Sequence, residues 1–429
     1  MELLTRGAAA WGLALTAGCA VAMAQGPRPA VPAEIRQLGV AGSANSNPTL
    51  SARGSFVAVA WGATTPGKGT DVYVALSRDA GATFGAPVRA NAESGEARIS
   101  AERPPVVALV PSNRATPDVA VLWTAGGSGT PLKLARSGDG GRTFARPREV
   151  QAPGAPGNRG WASMTADQAG TLHVVWLDHR DTAGAAAGRE TSGHAHRDGA
   201  AMAQRSGLYY AQVGTGAIAE RLLARGVCYC CKTAVAAGPG NRVATAWRHV
   251  YPGNLRDIAA ATSADAGRTF TTPQRVSEDG WAIDGCPENG PSIAFHDGRL
   301  HLAWPTVLGG REPAGAIFYA YSRGGGSFSS RIRVPVLAGR DPEHVQIAGA
   351  DAGRVVVAWD EVVDGRRTVV ASRLQLTASG AAVGAPTLVS PGRPARHPAL
   401  APAPGGVLVA WTDGPSETAT AIGIRRISN

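Results

Sequence analysis

The chain has 429 residues, a net charge of +10 and only 17% charged residues, with 56 Gly and 30 Pro. That length and apolar share bury a substantial core, which sets disorder aside. Lys68, Lys133 and Lys232 are the only lysines among 42 basic residues, and no stripe interleaves aromatics with basic side chains. No nucleic-acid partner is therefore expected.

Residues 1–24 read as a signal peptide: Arg6, an apolar run from Ala8 to Ala24, and a small-x-small ending at Ala22-Met23-Ala24. A lipoprotein reading with Cys19 as acceptor is the alternative. Residues 25–33 form a linker. No later segment has the roughly 20 apolar residues of a membrane span. The protein is expected in the periplasm or medium, as a monomer.

From residue 34 onward the pattern is short, β-rich and repetitive. An orphan strand, Glu34 to Val40, comes first. The first unit then has strands at Pro48 to Ala52, Phe56 to Trp61, Asp71 to Ser77 and Pro87 to Ala90. An apolar strand ending in Trp recurs at Trp61, Trp123, Trp176, Trp247, Trp304, Trp359 and Trp411, at spacings of 62, 53, 71, 57, 55 and 52 residues. Such a period of four-stranded units signals an all-β propeller. Seven Trp strands predict seven blades, or six if one repeat is false. The last unit lacks a fourth strand, so the orphan N-terminal strand is expected to complete it and close the ring.

A second repeat is S-x-D-x-G-x-T-F, at Ser77 to Phe84, Ser137 to Phe144 and Ser263 to Phe270. Asp79, Asp139 and Asp265 are expected to accept backbone N–H bonds in the turn between the third and fourth strands, with Gly at φ > 0. A degenerate copy runs from Ser322 to Phe328. This octapeptide is the Asp box, and Asp boxes on a propeller resemble the sialidase superfamily, or BNR-repeat proteins, over residues 34–429. The resemblance implies a propeller with the Asp boxes on the face opposite any active site, and exo-glycosidase chemistry as one expectation. Sialidases of this type carry an Arg-Ile-Pro motif, an arginine triad, a Tyr–Glu pair and an Asp acid/base. Here the early segment is AEIRQLGV, without Arg-Ile-Pro.

Propeller topology directs attention to the loops leading into each innermost strand and those after each Trp strand. Cys228, Cys230, Cys231 and Lys232 lead into the fourth blade, and Cys286 and Asn289 into the fifth. Equivalent lead-in loops supply Asn47, Arg103, Arg159, His344 and His397. The post-Trp loops supply Asp178 and Arg180; Arg248, His249, Tyr251 and Arg256; and Asp360 and Glu361. Blade three carries a long insertion, from about Asp181 to Gly207, with His194 and His196. His173 and His301 sit within strands and read as packing residues.

Two chemistries compete for the cysteines. In an exported protein four cysteines suggest disulfides, with one bridge tying Cys286 to the blade-four cluster and a vicinal Cys230–Cys231 bond or free thiols beside it. Thiolates together with His249, His344 or His397 would instead form a soft N/S set suited to copper or zinc, and a redox-active thiol is a third reading. Arg180, Arg248 and Arg256, with His249, Asn289 and Lys232, are the candidate ligand-binding set for a small polar or anionic ligand, carbohydrate included. Asp178, Asp360, Glu361 and Tyr251 are the candidate catalytic groups under a glycosidase reading. The expected function is an exported propeller with a Cys/Arg/His-rich binding face. A sialidase-type hydrolase and a non-catalytic scaffold with structural disulfides are the alternatives.

Overall fold

The computed structural model describes residues 34–182 except 128, and 199–428 except 215, 217, 284, 310–313, 325, 338, 339, 352, 379 and 416–418. The leader, Cys19, the linker, His194 and His196 lie outside the described residues.

Seven antiparallel sheets form a seven-bladed β-propeller. Blade one comprises Ala44–Arg53, Phe56–Thr65, Gly69–Ser77 and Val88–Arg89. Blade four comprises Ala234–Gly238, Arg242–Tyr251, Leu255–Ser263 and Gln274–Arg275. The first of these strands in each blade is innermost, and each innermost strand contacts those of the blades before and after it, the seventh touching the first. Blade seven holds Ala395–Ala403, Gly406–Asp413 and Ala421–Ser428, and its outer strand is Arg36–Leu38. There Arg36 pairs with Ile424 and Leu38 with Ile422, so the N-terminal strand does close the ring.

The core lies in the seams between blades. Successive strand residues face opposite sides of a sheet, so an alternating apolar strand feeds two seams at once. Each of the seven strand-ending Trp residues is at most 1% exposed and points into the seam with the preceding blade. Trp123 packs with the first blade's core, Trp247 with the third's, and Trp411 with the sixth's. Trp61 fills the closing seam beside Ala410 and Ile424 of blade seven.

The octapeptide turns share one hydrogen-bond pattern. Asp79 accepts from the Thr83 backbone N–H at 2.8 Å, the Thr83 hydroxyl at 2.6 Å and the Ser77 hydroxyl at 2.7 Å. Asp139 and Asp265 repeat the pattern. Gly81, Gly141 and Gly267 have φ of 86°, 82° and 79°, and a Cβ on any of them would collide with Leu408, Leu76 or Tyr210. The glycine thus serves both the turn and the seam.

The Thr83 and Ser77 hydrogen bonds hold the Asp79 carboxyl well below the ordinary carboxylate range, and Asp139 and Asp265 behave alike. A depressed folded-state pKa contributes stability above the unfolded value, near 4, that disappears as pH falls through the folded value. Asp79→Asn should therefore lower the melting temperature at pH 7 and flatten its decline below pH 4. Melting curves across pH check this; an unchanged acid limb in the variant would count against it.

One element leaves no clear mark in the sequence. The blade-three insertion contains a helix, Gly199–Arg205, and a single 3-10 turn, Arg180–Thr182. Seven residues are too few to establish a 3.6-residue period. No helix among the described residues is long and apolar enough to cross a membrane.

Candidate functional site

Four innermost strands enter the channel through the same distortion. Asn47, Trp161, His344 and His397 have φ between 53° and 55°, and each lies where its strand's register slips against the Trp strand. A bulge with a non-glycine residue in the left-handed region is costly and re-aims the side chain. Neighbouring blades hold the strained backbones in place. The Asn47 N–H donates to Thr412 at 2.9 Å, the His344 N–H to Asn289 at 3.3 Å, and the His397 N–H to Asp360 at 2.6 Å.

Asn47, His344 and His397 open onto a cavity of about 210 Å³ along the axis, bounded by all seven blades. Asn47, Lys232, His344 and His397 supply polar groups, while Leu50, Val235, Ile293 and Leu400 supply apolar wall. Among the described residues, Asn47 Oδ1 and His397 Nδ1 are buried without a hydrogen-bond partner.

Charge around the cavity is finely divided. Burial disfavours an imidazolium at His344, but the Asp360 carboxylate, 2.9 Å from Nδ1, outweighs it and raises His344 above the ordinary value. Despite burial, the neighbouring His344, His397 and Arg367 keep Asp360 well below the carboxylate range. Burial and the charge on His344, whose ring centroid lies 4.6 Å away, push His397 down to about 3. The pair is therefore split, His344 holding its proton to higher pH than His397.

Glu102, in the loop leading into blade two, joins this group and was not singled out from sequence. Its carboxylate accepts the Lys232 backbone N–H across 130 positions. It is 3% exposed, and burial raises its pKa, partly offset by Lys232. Burial lowers Lys232, with Glu102 opposing. The sequence signal is an acid immediately before Arg103-Pro104-Pro105, in the same lead-in loop that supplies Arg103. Arg103 itself stacks over Trp161, 5.0 Å from its ring centroid.

The cysteines meet beside this mouth. Cys230 and Cys286 form a disulfide with Cα atoms 6.1 Å apart, stapling the lead-in loops of blades four and five. The vicinal Cys230–Cys231 alternative is excluded by this pairing. Gly290, just after Cys286, sits so close that a Cβ would meet the Lys232 carbonyl. Cys228 and Cys231 are free and buried, with Sγ atoms 3.1 Å apart. Burial raises both thiols; for Cys228 the Cys231 hydrogen bond and the guanidiniums of Arg256 and Arg248 reverse the direction, leaving it below its ordinary value and Cys231 above.

The three arginines do not converge on a shared opening. Arg180 makes a bidentate bond to Asp178, at 2.9 and 2.7 Å, and a bond to Glu220. Arg248 donates to the carbonyls of Asn289, Arg256 and Pro305 at 2.9, 2.6 and 2.6 Å. Arg256 points to Cys228, its Nη1 3.3 Å from Sγ, while Asp257 on the other face of the strand pairs with Arg275. Arg159 caps the carbonyls of Gly129, Ala155 and Pro156 and meets Asp178.

The post-Trp residues have a shared structural duty. Two positions along a strand lie on one face, so the residue after next accepts the indole N–H: Asp178 from Trp176, His249 from Trp247, Glu361 from Trp359. His249 also meets Tyr251 edge to face at 4.6 Å, and the Arg275 guanidinium lies 4.5 Å from the Tyr251 ring centroid. Burial pushes Tyr251 up to about 12. His249, His344 and His397 do not join the sulfurs: among the described residues, the Cys228, Cys230 and Cys231 cluster includes no imidazole or carboxylate. Glu343, His344 and Asp360 form a second group of ligand atoms within 4.8 Å, but Arg367 bridges both carboxylates. His173 and His301 are buried packing residues that bond Tyr210 and Tyr319 at 2.7 and 2.8 Å.

No family model and no curated protein matches the sequence. Solved structures do. A polysaccharide lyase of the ulvan lyase family is 10% identical, with a TM-score of 0.55, over 92% of this chain and 96% of its own. A mutant of the NanB sialidase from Streptococcus pneumoniae is 14% identical over 92% and 70%, with a TM-score of 0.48. A protein of unknown function from Dyadobacter fermentans is 14% identical over 80% and 99%, with a TM-score of 0.47. The likeness to the lyase is one of fold, and it places this chain among the propellers.

Proposed function

We propose that this is an exported propeller of the sialidase-like, Asp-box type whose channel mouth binds a small anionic ligand, a glycan-derived acid above all. The carrying observation is the cavity of about 210 Å³ lined by Asn47, Lys232, His344 and His397, with Asn47 Oδ1 and His397 Nδ1 buried without partners among the described residues. Unpaired buried polar atoms are costly, and strained backbone that persists at one place marks a site built for an occupant. Lys232 and His344 offer N–H donors that favour a carboxylate or sulfate, and the apolar wall suits the face of a sugar ring. The ulvan lyase has also been solved bound to a glucuronate and sulfated-rhamnose disaccharide unit, which makes uronates and sulfated sugars the first compounds to screen.

The test is calorimetric titration with uronates, sulfated sugars, sialic acid and their neutral counterparts. Acidic members should bind and neutral ones should not. Lys232→Ala should weaken binding about tenfold to a hundredfold, the worth of a hydrogen bond to a charged group. Equal binding of neutral and acidic sugars would overturn the reading.

A glycosidase is the second reading, favoured by Glu102, a buried carboxyl that burial keeps protonated to higher pH, as a general acid requires. A fluorogenic sialoside or uronide released by the native protein and spared by Glu102→Gln would support it.

A further inference from the structure

Cys228 and Cys231 stand three apart in sequence, so a C-x-x-C pair is nested within the C-x-C-C run. Cys230 is committed to Cys286, which fixes the loop and leaves the other two thiols facing each other at 3.1 Å. Both are at most 2% exposed, in an apolar cluster against which Met202, on the helix Gly199–Arg205, packs. The cluster thus brings two free thiols together with a thioether-bearing side chain packed against it.

The charge of the pocket is set by Arg256. Its side chain is fully buried, and among the described residues its one side-chain acceptor is Cys228 Sγ and its Nε and Nη2 have no partner. A buried guanidinium without a carboxylate needs a negative charge close by. One thiolate meets part of that need and leaves two N–H groups idle.

We propose that Cys228 and Cys231 bind a monovalent soft cation, copper(I), as a bis-thiolate, with Met202 as a third, weaker donor. Binding removes the one remaining thiol proton and leaves a complex of charge −1, the same net charge as the lone thiolate but spread over both sulfurs, which Arg256 neutralises. The ligand set selects the ion: thiolate and thioether sulfur favour copper(I), whereas zinc prefers four N or S ligands, and among the described residues the sulfur group includes no imidazole. Burial excludes a protein partner from the sulfurs and suits an occupant of atomic size. The site is separate from the ligand-binding reading of the channel mouth and stands or falls without it.

The experiment is an anaerobic titration of the full-length protein with copper(I) against a chromophoric chelator, repeated with silver(I), which undergoes no redox change. A single equivalent should bind with a thiolate-to-metal absorption band, and in urea sufficient to open both thiols of the metal-free protein to alkylation, Cys228 and Cys231 should both become resistant, as read by mass spectrometry. Cys228→Ser and Cys231→Ser should each abolish uptake, and Met202→Leu should weaken it about tenfold. The protection measurement uses the native protein, so it holds even if a cysteine variant fails to fold. A protein with both thiols reduced that takes up no copper(I), uptake that leaves either cysteine open to alkylation, or tighter binding of zinc would each overturn the proposal. So would a Cys228–Cys231 disulfide that, once reduced, confers no metal binding.

Discussion

Arg248→Ala should cost about 4 kcal/mol of stability, at 1–2 kcal/mol for each of three buried carbonyls left without a donor. The side chain is 1% exposed and ties blade four to the lead-in loop and Trp strand of blade five through Asn289 and Pro305. Its guanidinium also covers Trp281, 4.8 Å from the ring centroid. Arg248→Lys should recover little, because one ammonium cannot reproduce a planar fork aimed at three separate acceptors. Urea unfolding measures the loss. A variant of native stability that has lost ligand binding would instead return Arg248 to the ligand-binding set.

Replacing Cys230 and Cys286 together with Ala should cost a similar amount. The bridge closes a separation of 56 residues, worth about 4 kcal/mol if its effect is to restrict the unfolded chain. It also holds in register the neighbouring loops that carry Lys232 and Asn289, so ligand binding at the mouth should weaken as well. The native protein in reductant should unfold at the lower urea concentration of the variant, and the variant should ignore reductant. A native protein indifferent to reductant would mean that the bridge contributes nothing to stability.

The sequence makes the architecture legible because its signals are local and repeated. An apolar strand ending in Trp needs no distant partner to be recognised, and neither does a turn whose Asp, Gly and Thr satisfy one another. Ring closure follows from a missing strand at one end and a spare one at the other. Topology also brings Cys228, Cys230, Cys231 and Cys286 to one place, and a Cys286 bridge to the blade-four cluster is among the pairings that placement suggests. The site is less legible. Arg248 and Arg159 bind backbone carbonyls, which have no residue identity and leave no pattern. Asp178 and Glu361 look catalytic because acids after a strand are conspicuous, but the indole they serve lies only two residues earlier. Glu102 and Lys232 meet across 130 positions, and only the folded ring reveals that a carboxyl is buried there.

The closing strand imposes an order in time. Arg36–Leu38 is among the first parts of the ring to be synthesised, yet its partners, Ile422 to Ile424, are among the last. The earlier blades can pack one against the next before the seventh is complete, but the seventh cannot close until both Arg36–Leu38 and Ala421–Ser428 are in place. Until then the nascent ring presents open sheet edges, which pair readily with other chains. Stalled or clipped chains should therefore aggregate rather than persist as smaller soluble rings.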